Sequence, residues 1–295
     1  MYDAPMFGLS PRAQILLTAL LFSTGGAAIK AATLSSWQIA SFRSGLAAIV
    51  LMLGARHLRG FSRTTLLVGV AYAATLTSFV MANRLTTAAN SVFLQATAPL
   101  YIALVGPWVL GEFMRRRDLP LVFAIAIGIV MLFLGRQDDS LTAPDRAMGN
   151  LIGVFSGCCW ALTVIGLRWV EKREPGGTGG PARAAAITGN VIACVACLPF
   201  ALPVSNISLH DGLVVGYLGI FQIGLAYLLL TRAIRHVPAV DASLLLLAEP
   251  AFSPLWAWLF HNESPGGWPL AGGALILGSA TWKTWQDARR AGSSA

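Results

Sequence analysis

The chain has 295 residues, of which 56% are hydrophobic and only 12% charged, with a mean hydropathy of +0.67. Those values exclude an ordinary soluble domain and describe a polytopic membrane protein. A net charge of +8 would suit a nucleic-acid binder, but the basic residues sit in short clusters between apolar runs, where they set topology and meet anionic headgroups.

Ten apolar segments follow one another, at about 12–32, 37–55, 64–83, 88–111, 119–135, 149–169, 184–203, 211–231, 239–260 and 268–286. Most approach the roughly 20 residues that cross a bilayer as a helix. The longest connections are 136–148 and the Gly/Pro-rich 171–181, which reads as a surface loop. Arg56, Arg59 and Arg63, then Arg115, Arg116 and Arg117, then Lys172, Arg173 and Arg183, then Arg232 and Arg235 fall in alternate connections. The intervening ones are nearly bare or acidic, as with Asp138, Asp139 and Asp145. The positive-inside rule then places both termini in the cytoplasm, with Arg289 and Arg290 in agreement. A cleaved signal peptide is not expected, because only one Arg precedes the first run and that run has a counterpart later in the chain.

Polar and aromatic residues at helical spacing and mid-depth mark protein interior rather than lipid. Segment 1 carries Thr18, Phe22 and Gly25, and segment 3 carries Tyr72, Thr75 and Phe79. Segment 4 shows Asn90, Thr97 and Tyr101, segment 6 Ser156, Trp160 and Thr163, and segment 8 Phe221, Gln222 and Tyr227. Segment 9 adds Asp241 near its start and Phe252 further on. Arg43 lies inside segment 2, at a cost of about 2.5–3.5 kcal/mol on insertion scales, so it should snorkel or find an acceptor as a structural tie. An anionic ligand is the alternative partner. Glu249, next to Pro250 at mid-depth, is a candidate proton-coupling group or a tie across the proline break. Asp241 reads as a helix cap.

Segments 4 and 9 overlay at an offset of 151, with Pro99 on Pro250, Glu112 on Glu263, Asn90 on Asp241, Tyr101 on Phe252 and Arg84 on Arg235. A mid-helix proline removes a backbone donor that lipid cannot replace, so Pro99 and Pro250 are expected to face protein or a cavity. Segments 1 and 6 overlay at an offset of 138, with Thr18 on Ser156, Phe22 on Trp160, Gly25 on Thr163 and Lys30 on Arg168. Each half then has five spans, an odd number, so the second is inverted relative to the first. The predicted fold is all-α, with ten transmembrane helices in two inverted five-helix repeats around a central cavity. Residues 1–135 form the first repeat, 136–148 a periplasmic loop and 149–295 the second repeat.

The motifs Ala28-Ile29-Lys30, Phe42-Arg43 with Ala47, Cys159-Trp160-Ala161, and the proline-to-glutamate helix present twice resemble the drug/metabolite transporter superfamily, in its ten-helix branch of two EamA-type repeats. The resemblance covers essentially the whole chain and is greatest to bacterial exporters of aromatic amino acids. Departures are Phe22, where the family often has Trp, and the apolar Ala98 and Leu247 beside the prolines. It implies an inner-membrane exporter of small metabolites with a cavity shared by both halves. Phe22, Tyr72, Thr75, Phe79, Thr97, Tyr101, Trp160, Thr163, Phe221, Gln222, Tyr227 and Phe252 are the candidate cavity residues.

Three functions compete. The first is export of amino acids, aromatic ones favoured, by alternating access. A second cargo class is cationic drugs, which need a buried carboxylate such as Glu249, or nucleotide sugars, which need mid-depth cations such as Arg43. An intramembrane enzyme is the third. It lacks catalytic groups, since His57, His210, His236 and His261 fall at or beyond helix ends. No cofactor and no metal is expected, because Cys158, Cys159, Cys194 and Cys197 have no neighbouring ligands and read as packing residues. The expected partners are a small-molecule substrate and the lipid bilayer, with protons as the candidate coupling ion, no nucleic acid, and a monomer as the simplest state.

Overall fold

The computed structural model describes residues 9–54, 61–110, 119–134, 140–173, 180–204, 207–233, 245–246, 248–264 and 266–293. It is helical throughout apart from an isolated bridge between Ser140 and Ala143. Segment 1 comprises α1 (Pro11–Ser23) and α2 (Gly25–Ala31), segment 2 is α3 (Ser36–Leu53), and segment 3 is α4 (Arg63–Leu85). Segment 4 is divided into α5 (Ala88–Gln95) and α6 (Ala98–Leu110), and segment 5 is α7 (Leu119–Leu134). In the second half, α8 (Arg146–Arg173) and α9 (Gly180–Ala201) are segments 6 and 7. Segment 8 runs from α10 (Leu209–Tyr217) through a π-helical stretch, Leu218–Leu225, into α11 (Ala226–Ala233). Segments 9 and 10 contain α12 (Ala248–His261) and α13 (Gly267–Ser293).

Six of the ten expected spans are long and apolar enough to cross a membrane: Pro11–Ala31, Ser36–Leu53, Arg63–Leu85, Arg146–Leu167, Gly180–Ala201 and Leu209–Ala233. The other four segments are helical but interrupted, shorter, or charged toward one end. Hydroxyl residues start several helices where the sequence places them. Ser10, Thr87 and Ser208 accept the backbone N–H of Ala13, Asn90 and Asp211, and Ser35 and Ser62 form capping boxes with Gln38 and Thr65. Each such cap contributes about 1 kcal/mol by satisfying a donor the helix leaves open. Lipid-facing stripes are apolar. Phe123, Ile127, Val130 and Leu134 recur along one side of α7 and are exposed.

The halves pack symmetrically. α4 lies on α8, and by exchange the π stretch and α11 lie on α1; α4 meets α9 as α3 meets the π stretch; α5 and α6 meet α8 as α12 meets α1 and α2. α3 with α9, α5 with α12, and α7 with α13 join counterparts directly.

At one end the odd-numbered connections meet. Lys30 Nζ pairs with Glu263 Oε2 at 3.2 Å, both side chains almost fully buried. The same ammonium donates to the carbonyl of Thr86 at 2.9 Å and to that of Thr142. The other Glu263 oxygen accepts the N–H of Ala88 at 2.7 Å. Thr86 Oγ1 and Asn90 Nδ2 both donate to Asn150 Oδ1. Asp211 accepts from the Thr33 N–H and hydroxyl, each at 2.7 Å, and Gln38 Nε2 donates to the Ala201 carbonyl. Segments 1, 3, 7 and 9 finish at this end, whereas 2, 4, 6 and 8 begin there. Each of these segments therefore runs opposite to its repeat counterpart, as an axis lying in the membrane plane requires.

Glu263→Gln strands the Lys30 ammonium and is expected to cost about 3–5 kcal/mol. The fall in melting temperature should be largely reversed in the Lys30→Met/Glu263→Met double variant; an unchanged melting temperature in the single variant would show that the pair contributes nothing.

Candidate functional site

Between the halves lies a cavity, open on one side, lined by Phe22, Arg43, Tyr72, Thr75, Leu76, Phe79, Gln95, Trp160, Gln222, Ile223, Tyr227 and Glu249. These residues come from segments 1, 2, 3, 4, 6, 8 and 9. Trp160 lies ten residues along α8 from Asn150, and Gln222 eleven residues from Asp211. At 1.5 Å per residue the cavity therefore sits roughly 15 Å from the bonded end, near the middle of an apolar layer about 30 Å thick.

Its apolar part is an aromatic cluster. The Tyr227 ring lies 5.4 Å from that of Phe22 and 5.2 Å from that of Tyr72, both tilted, in the geometry ring quadrupoles favour. Its polar part comes from helix irregularities. The π stretch forms bonds five residues apart, which widens the turn and carries Gln222 and Tyr227, five residues apart, toward one cavity. Gln222 is buried and its Oε1 has no hydrogen-bond partner. Gly25 makes room for this amide, since a Cβ there would lie 2.6 Å from Gln222 Nε2. Gln95 sits at the last residue of α5, where segment 4 breaks, and donates to Ser156 Oγ at 3.1 Å.

Arg43 does not snorkel. It is only 1% exposed, its Nη2 donates to the Leu76 carbonyl at 2.7 Å, and its Nε is without a partner. The acceptor expected of a structural tie is there, and the guanidinium also borders the cavity. Gly219 admits this arrangement: a Cβ on it would lie 2.7 Å from the Arg43 carbonyl oxygen, so the π stretch rests directly on the α3 backbone.

The proline breaks differ from a simple mid-helix gap. Segment 4 interrupts itself at Ala96–Thr97 and restarts at Ala98, which puts Pro99 in the first turn of α6, where its missing N–H costs little. Pro250 likewise falls in the first turn of α12 and is buried. Thr97, in the break, is buried and donates to the Leu94 carbonyl at 2.5 Å.

Of the predicted cavity residues, Phe22, Tyr72, Thr75, Phe79, Trp160, Gln222 and Tyr227 meet around this space. Thr163 does not reach it; it is buried at the α4–α8 crossing, 3.2 Å from the Thr75 hydroxyl, and donates to its own helix at the Cys159 carbonyl. Thr97 and the partly buried Tyr101 are not among its lining residues. Phe221 and Phe252 point elsewhere, 47% and 39% exposed. Phe221 neighbours Gln222 and so takes a different face, stacking on Tyr217 at 6.0 Å. Asn90 belongs to the bonded end. Glu112, Asp241 and Arg235 lie outside the described residues. Sequence reasoning missed Gln95, Leu76 and Ile223. An amide four residues before Pro99 was the readable signal for the first; nothing distinguished the other two from ordinary packing residues.

The EamA-like transporter family model matches residues 13–134 and 147–284. A solved crystal structure with 18% sequence identity superposes with a TM-score of 0.66 over 95% of this chain and 98% of its own, a likeness of fold. No curated protein matches the chain.

The Gly219 and Gly25 contacts predict different outcomes. Gly219→Ala drives a Cβ into backbone and should lower stability by about 1–3 kcal/mol, whereas Gly25→Ala meets only the movable end of Gln222 and should cost clearly less. Thermal unfolding in detergent compares them, and equal melting temperatures would contradict the described approach.

Two matched stretches, one in each half, cover most of the sequence, and the helices of the two halves enclose a mid-depth cavity: the chain belongs to the EamA-like transporter family, whose members move small molecules across membranes.

Proposed function

We propose that this protein exports amino acids, aromatic ones favoured, across a bacterial inner membrane by alternating access of its two halves. The observation that carries this reading is the cavity itself. Phe22, Tyr72, Trp160 and Tyr227 offer ring surfaces, while Gln95 and Gln222 offer amides, at a depth that only transmembrane cargo reaches. A wholly apolar cargo would leave those amides unmatched, and a large polar one would leave the rings idle.

Support for alternating access is the inversion of the two halves, which lets them exchange conformations around a shared cavity. Lys30 and Glu263 join at one end, and their counterparts in the sequence repeat are Arg168 and Glu112. Glu112 and the Arg168 side chain lie outside the described residues. The arginine-rich even connections favour a periplasmic position for the Lys30–Glu263 end.

Counterflow into proteoliposomes against a panel of amino acids tests the proposal. Phenylalanine or tryptophan should exchange and organic cations should not; the reverse result would transfer the protein to drug efflux. Trp160→Ala and Gln222→Ala should each reduce flux about tenfold or more at unchanged melting temperature, and full activity in both would remove them from the pathway. Orientation is checked by labelling Arg116→Cys and Asp145→Cys from outside intact cells. Labelling is expected at 145 alone.

A further inference from the structure

We infer that Arg43 and Glu249 are the two ends of a receptor for a zwitterion, the guanidinium taking the substrate's α-carboxylate and the carboxylate its α-ammonium, so that the cavity selects free amino acids over the corresponding amines, amides and acids. This rests on the amino-acid reading above and deepens it.

The argument begins with charges that lack partners. Arg43 is buried inside the membrane layer with its Nε unpaired. Among the described residues no carboxylate pairs with it. Glu249 borders the same cavity. Among the described residues the two form no ion pair with each other or with a third group. An arginine and a carboxyl group that line one cavity at mid-depth without bonding each other leave a place for a ligand that carries both counter-charges.

A zwitterionic amino acid answers that requirement, since it carries both counter-charges on neighbouring atoms and has no net charge. Its carboxylate accepts from Arg43 Nε while Nη2 stays on the Leu76 carbonyl. Its ammonium donates to Glu249 and to the open Oε1 of Gln222. The side chain is left to the rings of Phe22, Tyr72 and Tyr227. An organic cation would meet Glu249 but leave Arg43 uncompensated, and a dianionic nucleotide sugar would do the opposite.

The test uses the full-length protein in proteoliposomes, with radiolabelled phenylalanine as the counterflow substrate. Phenethylamine and phenylalaninamide lack the carboxylate, and 3-phenylpropionate lacks the ammonium. Against wild type each should compete about tenfold or more weakly than phenylalanine itself. Arg43→Gln should weaken phenylalanine and erase its advantage over phenethylamine and the amide. Glu249→Gln should erase its advantage over 3-phenylpropionate. Arg43→Lys, which keeps the charge, should retain part of the discrimination. Equal competition by phenylalanine and phenethylamine in wild type overturns the proposal without any variant, as does unchanged discrimination in folded Arg43→Gln and Glu249→Gln. Absence of counterflow for every amino acid in wild type would instead overturn the export reading beneath it.

Discussion

The buried pair of Lys30 and Glu263 is the interaction on which the arrangement depends. An ammonium and a carboxylate withdrawn from water are tolerable only when their remaining hydrogen-bonding capacity is filled. Here it is filled from three other places: the end of α4, the first turn of α5, and the connection that leads into α8. One charge pair thereby fixes where five helices meet, and it does so across both halves. The hydrogen bonds of Asn150 and Asp211 extend the same knot to the starts of α8 and α10. With that end fixed, the depth of the cavity follows from helical rise alone.

The cavity, in turn, is made of departures from regular helix. A membrane helix that satisfies all its own backbone groups offers nothing but side chains to a ligand. In this protein segment 1 is interrupted at Thr24, segment 4 at Ala96–Thr97, and segment 8 by a π stretch. Phe22, Gln95 and Gln222 lie at or within two residues of those irregularities. The first two interruptions lose some regular bonding and recover it through side chains, as Thr97 bonds the Leu94 carbonyl and Thr24 the Leu21 carbonyl. Polar groups are thus held inside the layer by geometry that simple helices would not provide.

The placement of Arg43 follows the same logic. Inversion brings α3 against α9 and against the π stretch, and the backbone at Arg43 lies directly under Gly219 of that stretch. A cation on this helix has no route to the headgroups and turns inward, where one carbonyl accepts it and the cavity receives the rest.

The sequence by itself determined the class of molecule, the order of segments, their duplication and inversion, and the aromatic positions on segments 1, 3, 6 and 8. Hydropathy, helical spacing and the alternation of arginines act locally or pairwise, and they survive in a linear reading. Only the tertiary structure decided which neighbour of each pair faces inward. Phe221 and Gln222 are adjacent in sequence yet diverge because the widened π turn sets their direction, and Phe252 turns outward although its repeat counterpart Tyr101 stays half-buried. It also put Asn90 at the bonded end, withdrew Thr163 into a helix crossing, and brought Gln95, Arg43 and Glu249 to one cavity. The direction of a side chain in a bundle depends on how each helix is rotated and broken against its neighbours, and that is settled by packing between distant segments rather than by the spacing of residues along one.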